Sequence, residues 1–287
     1  MGNSNFDIRE WGKYKIIWID SNRIGKCLNF YRENHLDGIG ISPHSGYQQH
    51  SLNFLSENTD ITGIVLVYSQ DINVTALESL TKLRFLTIDG NKQPVDLSLF
   101  PDLEELKIDW HKNIHLVSLL HLKRLYLSKY QSKLTSCQEL PAFPNLECLE
   151  FVRGNLTTLN GVDKLTNLKS IHLSYLTKLS NIDDLRTLPN IEIIELDSCK
   201  KVDDYFVFNE LKSLKKLLIL NGGEIPSIKF IENMPNLEFF SIGSTVVKDG
   251  DMSPCLNLKY AGFNDKKHYS HTNKQIKKII STKDATN

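Results

Sequence analysis

A pattern of apolar residues returns about every 22 positions along this chain. The clearest copies are Leu168-x-x-Ile171-x-Leu173, Ile191-x-x-Ile194-x-Leu196, Leu214-x-x-Leu217-x-Ile219 and Leu237-x-x-Phe240-x-Ile242. The same frame runs back through Leu146/Leu149/Phe151, Leu122/Leu125/Leu127, Leu103/Leu106/Ile108, Leu83/Leu86/Ile88, Ile61/Ile64/Leu66 and Leu36/Ile39/Ile41 to an imperfect copy at Tyr14/Ile17/Ile19. Forwards it ends at Leu258/Ala261/Phe263. A Pro-Asn or Pro-Asp step precedes several strands, at Pro101-Asp102, Pro144-Asn145, Pro189-Asn190 and Pro235-Asn236. Proline lacks an N–H and biases its predecessor to extended geometry, so each strand starts at a fixed place. One such unit cannot bury its apolar side alone, so the turns must stack on their neighbours.

A period of roughly 20 to 29 residues carrying L-x-x-L-x-L marks a leucine-rich repeat. The expected fold is an α/β solenoid, a leucine-rich repeat horseshoe of about 12 turns with a parallel sheet on its concave side. Residues at the fourth and sixth motif places point inward, and the alternate residues face out. After the strand, apolar residues recur every third position, as in Leu156, Leu159, Val162, Leu165 and again in Leu179, Ile182, Leu185, Leu188. That spacing predicts 3₁₀ or short helical segments on the convex side rather than full α-helices. Residues 1–35 read as an N-terminal capping strand and helix, 36–265 as repeats and 266–287 as a C-terminal capping helix and tail. In the first cap, Ile24, Cys27, Leu28 and Tyr31 follow an N-cap at Asp20-Ser21, and in the second Thr272-x-x-Gln275 is a capping box.

The runs Leu165-Thr-Asn-Leu168-Lys-Ser-Ile171-His-Leu173 and Ile182-Asp-Asp-Leu185-Arg-Thr-Leu188-Pro-Asn-Ile191 resemble the 22-residue repeat class of the bacterial internalins and the phosphatase-1 regulatory leucine-rich repeat proteins. The resemblance implies an interaction protein. At the ninth motif place, usually Asn in those families, Asn22 and Asn91 match and Cys199 is an accepted substitute, whereas His44, His111, Tyr130, Gly154 and Leu176 depart from the pattern.

Chemistry is less visible. With 34 basic and 34 acidic residues the formal charge is zero, which argues against nucleic acid as the main partner. Residues from Met1 to Asp7 show neither a signal peptide nor a membrane anchor, and Met1-Gly2 with Phe6 at the preferred Ser/Thr place is a poor myristoylation signal. Five cysteines without a C-x-x-C pair point to reduced thiols and a cytoplasmic chain. No Walker A loop, nucleophile elbow, zinc-protease helix or dinucleotide fingerprint occurs. His111, His115 and His121, with His44 and His50, lack zinc-like spacing, so no metal or cofactor is expected. Cys148 projects from the concave face, and with no histidine near it in sequence it reads as an ordinary thiol and not a nucleophile.

The outward positions list a candidate binding surface: Tyr68, Phe85, Asp89, Glu105, Lys107, Asp109, Trp110, Arg124, Tyr126, Tyr130, Glu150, Arg153, His172, Tyr175, Glu195 and Asp197, followed by Lys216. Tyr, Trp and Arg are enriched at binding hot spots. Packing of the rings on one another is the competing account. Acids outnumber bases there, which suits a protein partner with a basic surface. The expectation is a non-catalytic, monomeric protein-binding scaffold, in the manner of an immunity protein or inhibitor that neutralises a toxin. The alternatives are an adaptor or regulatory subunit that targets an enzyme such as a phosphatase, and a secreted adhesin or effector.

Overall fold

The computed structural model describes residues 6–68 and 72–284; the N-terminal stretch Met1–Asn5 lies outside them. The chain forms two compact units, Met1–Leu127 and Ser128–Asn287. In the first, β1 (Ile8–Trp11) and β2 (Tyr14–Trp18) form an antiparallel hairpin, and β3 (Gly38–Ile41), β4 (Gly63–Val67), β5 (Phe85–Asp89) and β6 (Glu105–Asp109) continue from β2 in parallel. β7 (Arg124–Tyr130) carries the chain into the second unit. There β8 (Cys148–Gly154), β9 (Ser170–Ser174), β10 (Ile193–Asp197) and β11 (Lys216–Leu220) pair in parallel. The short β12 (Gly223–Ile225) leads on to β13 (Phe239–Ile242), which pairs with β11. β14 (Thr245–Val247) pairs with β12, and β15 (Tyr260–Phe263) closes the ladder beside β13. Each unit is therefore a leucine-rich repeat coil, and its turns are in the frame that the sequence repeat sets.

Register explains the core. Ile171 lies opposite both Leu149 and Ile194, and Leu173 opposite both Phe151 and Leu196, so like motif places stack turn on turn. Ile171, Leu173, Leu176, Leu179, Leu185 and Ile194 are fully buried. Return paths are 3₁₀ segments such as Asn53–Glu57, Thr75–Ser79, Asp183–Thr187 and Lys229–Asn233. Asx side chains start them: Asn73 Oδ1 accepts from Thr75 N at 2.9 Å and Asn181 Oδ1 from Asp183 N at 3.0 Å. At the second motif place, charges alternate from turn to turn. Glu147–Lys169, Glu192–Lys215 and Glu238–Lys259 are ion pairs of 3.0, 2.8 and 2.7 Å, exposed enough that each contributes about 0–1 kcal/mol.

The ninth motif place joins neighbouring turns by polar contacts. Asn91 Nδ2 donates to Ile72 O at 3.1 Å, Cys199 Sγ to Leu173 O at 3.3 Å and Thr245 Oγ1 to Ile219 O at 2.9 Å. Asn22 does not serve this way; it is exposed in the 3₁₀ turn Ser21–Arg23, with its N–H bound to Asp20 Oδ1. The eighth place is left-handed at Gly90 and then in successive turns at Lys129, Arg153, Tyr175, Ser198, Asn221 and Ser244. That conformation swings the chain off the strand into the return path.

One helix connects β2 to β3 and another follows β15. α1 (Ile24–Glu33) buries Cys27, Leu28 and Tyr31. α2 (Asn273–Asp284) begins with the expected reciprocal capping box: Thr272 N donates to Gln275 Oε1 at 2.7 Å and Gln275 N to Thr272 Oγ1 at 3.3 Å. Its Ile276 and Ile280 are buried, and the helix packs on β15.

Glycines in β3 and β4 make room on the outward face of the first unit. A Cβ on Gly38 would lie 2.5 Å from Gly63 O and 2.6 Å from Phe85 Cζ, and one on Gly63 would enter the Phe85 ring. Gly25 is different, because a Cβ on this exposed residue of α1 meets nothing. Gly38→Ala should therefore lose about 1–3 kcal/mol by overpacking, whereas Gly25→Ala should gain about 0.5–1 kcal/mol of helix propensity. Thermal unfolding of the two variants against the parent checks both signs.

Candidate protein-binding face

In the first unit the outward face is covered by the chain's own aromatic rings. Trp18 lies over Gly40, where a Cβ would come within 2.5 Å of the indole. Ile16, Trp18, Val65 and Phe85 form a buried cluster, with Trp11, Tyr14 and Val67 packed against it. Tyr14 stacks on Phe85 with ring centroids 3.9 Å apart, and Trp11 Nε1 donates to Thr87 Oγ1 at 3.3 Å. The hairpin thus reaches across β3 and β4 to β5. Tyr14 also meets Glu105 on β6, its hydroxyl donating to Oε2 at 3.4 Å. Burial first, then Glu105 and Glu104, push the Tyr14 hydroxyl pKa up.

Three candidates expected on an open surface are consequently buried. Phe85 is under Tyr14. Tyr68 is buried with its hydroxyl donating to Gln49 O at 3.1 Å, so it serves the return path. Tyr130 stands at the inward ninth place, where its ring replaces the usual Asn and packs 5.3 Å from Phe151; burial raises its hydroxyl pKa. The others of the first unit remain reachable. Asp89 and Arg124 are exposed, and Glu105, Lys107, Asp109, Trp110 and Tyr126 are half-buried. Lys107 Nζ sits 4.3 Å from the Tyr126 ring centre and 5.7 Å from that of Trp11, and Arg124 pairs with Glu105 at 3.7 Å. A separate cleft of about 440 Å³ at the strand starts is lined by Lys82, Arg84, Asp102, Glu104, His121 and Lys123, but Glu104 already pairs with both Arg84 and Lys123.

The second unit is more open. Its outward rows are set by register: Cys148, Ser170, Ile193, Lys216, Phe239 and Tyr260 in one, and Glu150, His172, Glu195, Leu218 and Ser241 in the next. Tyr175 is 49% exposed although it occupies a left-handed backbone position with φ 56°, and the Arg153 guanidinium lies 5.8 Å from its ring centre. Tyr175 N–H donates to Asp197 O at 2.8 Å, and Asp197 Oδ1 accepts from Asn221 Nδ2 and Ser198 Oγ, both at 2.8 Å. Lys216 Nζ lies 4.9 Å from the Phe239 ring centre, and Phe239 stacks on Tyr260.

One grouping corrects the sequence reading. Cys148 is not an isolated thiol: it neighbours His172 across the strand pair and raises the pKa of that imidazole, and His172 Nδ1 pairs with Glu195 Oε2 at 3.2 Å on the strand after. Sequence proximity hid this, but the repeat frame carried the signal, because Cys148, His172 and Glu195 fall at outward places of successive turns. Among the described residues, no group of three or more His, Cys, Asp or Glu side chains is placed to hold a metal.

No family model matches the chain, and no curated protein matches its sequence. Among solved structures, an internalin of Listeria monocytogenes is 20% identical with a TM-score of 0.46, covering 73% of this chain and 58% of its own. A leucine-rich repeat protein of Leptospira interrogans is 15% identical over 85% of this chain and 80% of its own, with a TM-score of 0.43. Internalin C2 of Listeria monocytogenes is 17% identical over 75% of this chain and 76% of its own, with a TM-score of 0.32. The chain thus spans little more than half the length of the first of these. The fold stands on the strand ladder itself.

The hydrogen bond to Cys148, then the charges of Cys148 and Glu195 against burial, hold the His172 pKa above its ordinary 6.5. A raised imidazole stabilises the fold fully below pH 6.5 and loses that contribution as pH rises through the raised value. An NMR titration should therefore find the His172 midpoint above 6.5, and Glu195→Gln should move it down.

Proposed function

We propose that this chain is a non-catalytic scaffold that holds one protein partner on the outward strand face of its second unit. The observation that carries the reading is Tyr175, a large ring half exposed in a backbone conformation that L side chains avoid, with Arg153 beside it. The left-handed place belongs to the repeat, but other turns fill it with Gly90, Lys129, Arg153, Ser198, Asn221 and Ser244, so the repeat does not call for a large exposed ring there. Tyr and Arg are the residue types that anchor interfaces.

Glu150, Glu195 and Asp197 lie on the same face, with the half-buried apolar Ile193, Leu218, Leu220 and Phe239 farther along. A partner that presents basic side chains around an apolar centre fits this surface. In the first unit, Asp89, Glu105, Lys107, Asp109, Trp110, Arg124 and Tyr126 are the residues that remain for an additional contact. Tyr68, Phe85 and Tyr130 are not among them, being buried.

Within this class we assign the chain to inhibitors of a basic protein, such as the immunity proteins that neutralise toxins, acting as a monomer in the cytoplasm. The five free cysteines, all buried, support a reducing compartment. Among the described residues, no helix is long and apolar enough to cross a membrane.

Tyr175→Gly separates binding from folding. It should weaken capture of the partner by at least about tenfold, the loss of one hot-spot anchor. Its unfolding temperature should hold or rise, because Gly relieves the positive φ. Affinity capture from a lysate of the source organism, with quantitative mass spectrometry and thermal unfolding of both proteins, reads the two effects. Equal capture by parent and variant would remove Tyr175 as an anchor. A captured enzyme that keeps its activity would make the chain an adaptor instead of an inhibitor.

A further inference from the structure

Cys148, His172 and Glu195 stand on three successive strands of the outward face of the second unit. Register sets Cys148 and His172 at outward places of neighbouring strands, and Glu195 Oε2 holds His172 Nδ1 at 3.2 Å. A nucleophile beside a base that a third group orients is the arrangement that activates a side chain for covalent chemistry. Cys148 differs from the other cysteines in where it faces. Cys137, Cys199 and Cys255 are in the interior, where burial pushes their thiols up to about 12, about 11 and about 12. Cys27 is in the buried face of α1. Cys148 lies on the outward side of β8, 8% exposed, opposite the small Ser170.

We propose that Cys148, His172 and Glu195 form a reactive-thiol site that takes low-molecular-weight disulfides. His172 accepts the Cys148 proton, and the thiolate attacks one sulfur of the disulfide R–S–S–R. A Cys148–S–S–R bond forms while the R–S–S–R bond breaks. The leaving thiolate takes up the proton from His172, so Cys148 is oxidised and half of the disulfide is reduced to RSH. Excess thiol reverses the step. Four titratable groups on the adjoining strands face His172: Cys148 and Glu150 on β8, and Glu195 and Asp197 on β10. Glu195, in direct contact with the ring, favours the imidazolium that the transfer creates. The site shares Glu150 and Glu195 with the proposed partner face, but its chemistry needs no bound partner.

The test exposes the folded, full-length chain to oxidised glutathione across a range of pH and maps the adduct by peptide mass spectrometry. Cys148 should take up one glutathione at least about tenfold faster than any other cysteine, and react well below the pH of about 8.5 at which an ordinary thiol ionises. His172→Gln should shift the rate profile up to that ordinary range, and Glu195→Gln should shift it part of the way. Both variants are checked for folding by circular dichroism, and His172→Asn is the substitute should His172→Gln unfold. A Cys148 that stays unmodified in the folded chain overturns the proposal. So does one that reacts with an ordinary thiol profile in parent and variants alike.

Discussion

Everything in this protein depends on the in-register parallel ladder of backbone hydrogen bonds that ties each turn to the next. The polar contacts of Asn91, Cys199 and Thr245 and the left-handed eighth place recur in the same frame, so the turns that carry them are held both along the strand and at its exit.

The outward face that this ladder creates is used in two ways. In the first unit, Gly38, Gly40 and Gly63 remove side chains so that Trp18 and Phe85 can lie flat, and the β1–β2 hairpin adds Trp11 and Tyr14 above them. Burial of these rings is a second apolar cluster, outside the coil, and it takes part of the outward surface out of play for a partner. In the second unit no such cover is present among the described residues at Tyr175, and polar groups dominate the early strands. There the ladder spaces carboxylates, an imidazole and a thiol at neighbouring turns, close enough for direct contact.

The inward residues were legible in the sequence because their identity follows from one period and one alternation. The start of α2 was legible for another reason: Thr272 and Gln275 carry a local signature that needs no tertiary contact. What the sequence hid was cover. Phe85 is buried by Tyr14, about 70 residues earlier, and local pattern says nothing of a hairpin folding over a distant strand. Tyr130 is a different case, since its ninth motif place already pointed inward and only its size made it look like surface. The contact between Cys148 and His172 was recoverable too, from the repeat frame rather than from spacing along the chain.

The central claim is that the outward strand face is covered in the first unit and open in the second. Hydroxyl-radical footprinting of the full-length protein in solution measures this directly, residue by residue, through the oxidation of aromatic side chains. The account predicts rapid oxidation of Tyr175 and Tyr260, with Trp18, Phe85 and Tyr130 protected until the chain unfolds. Oxidation of Trp18 and Phe85 as fast as that of Tyr175 would contradict it, because the hairpin could not then be covering the strands beneath.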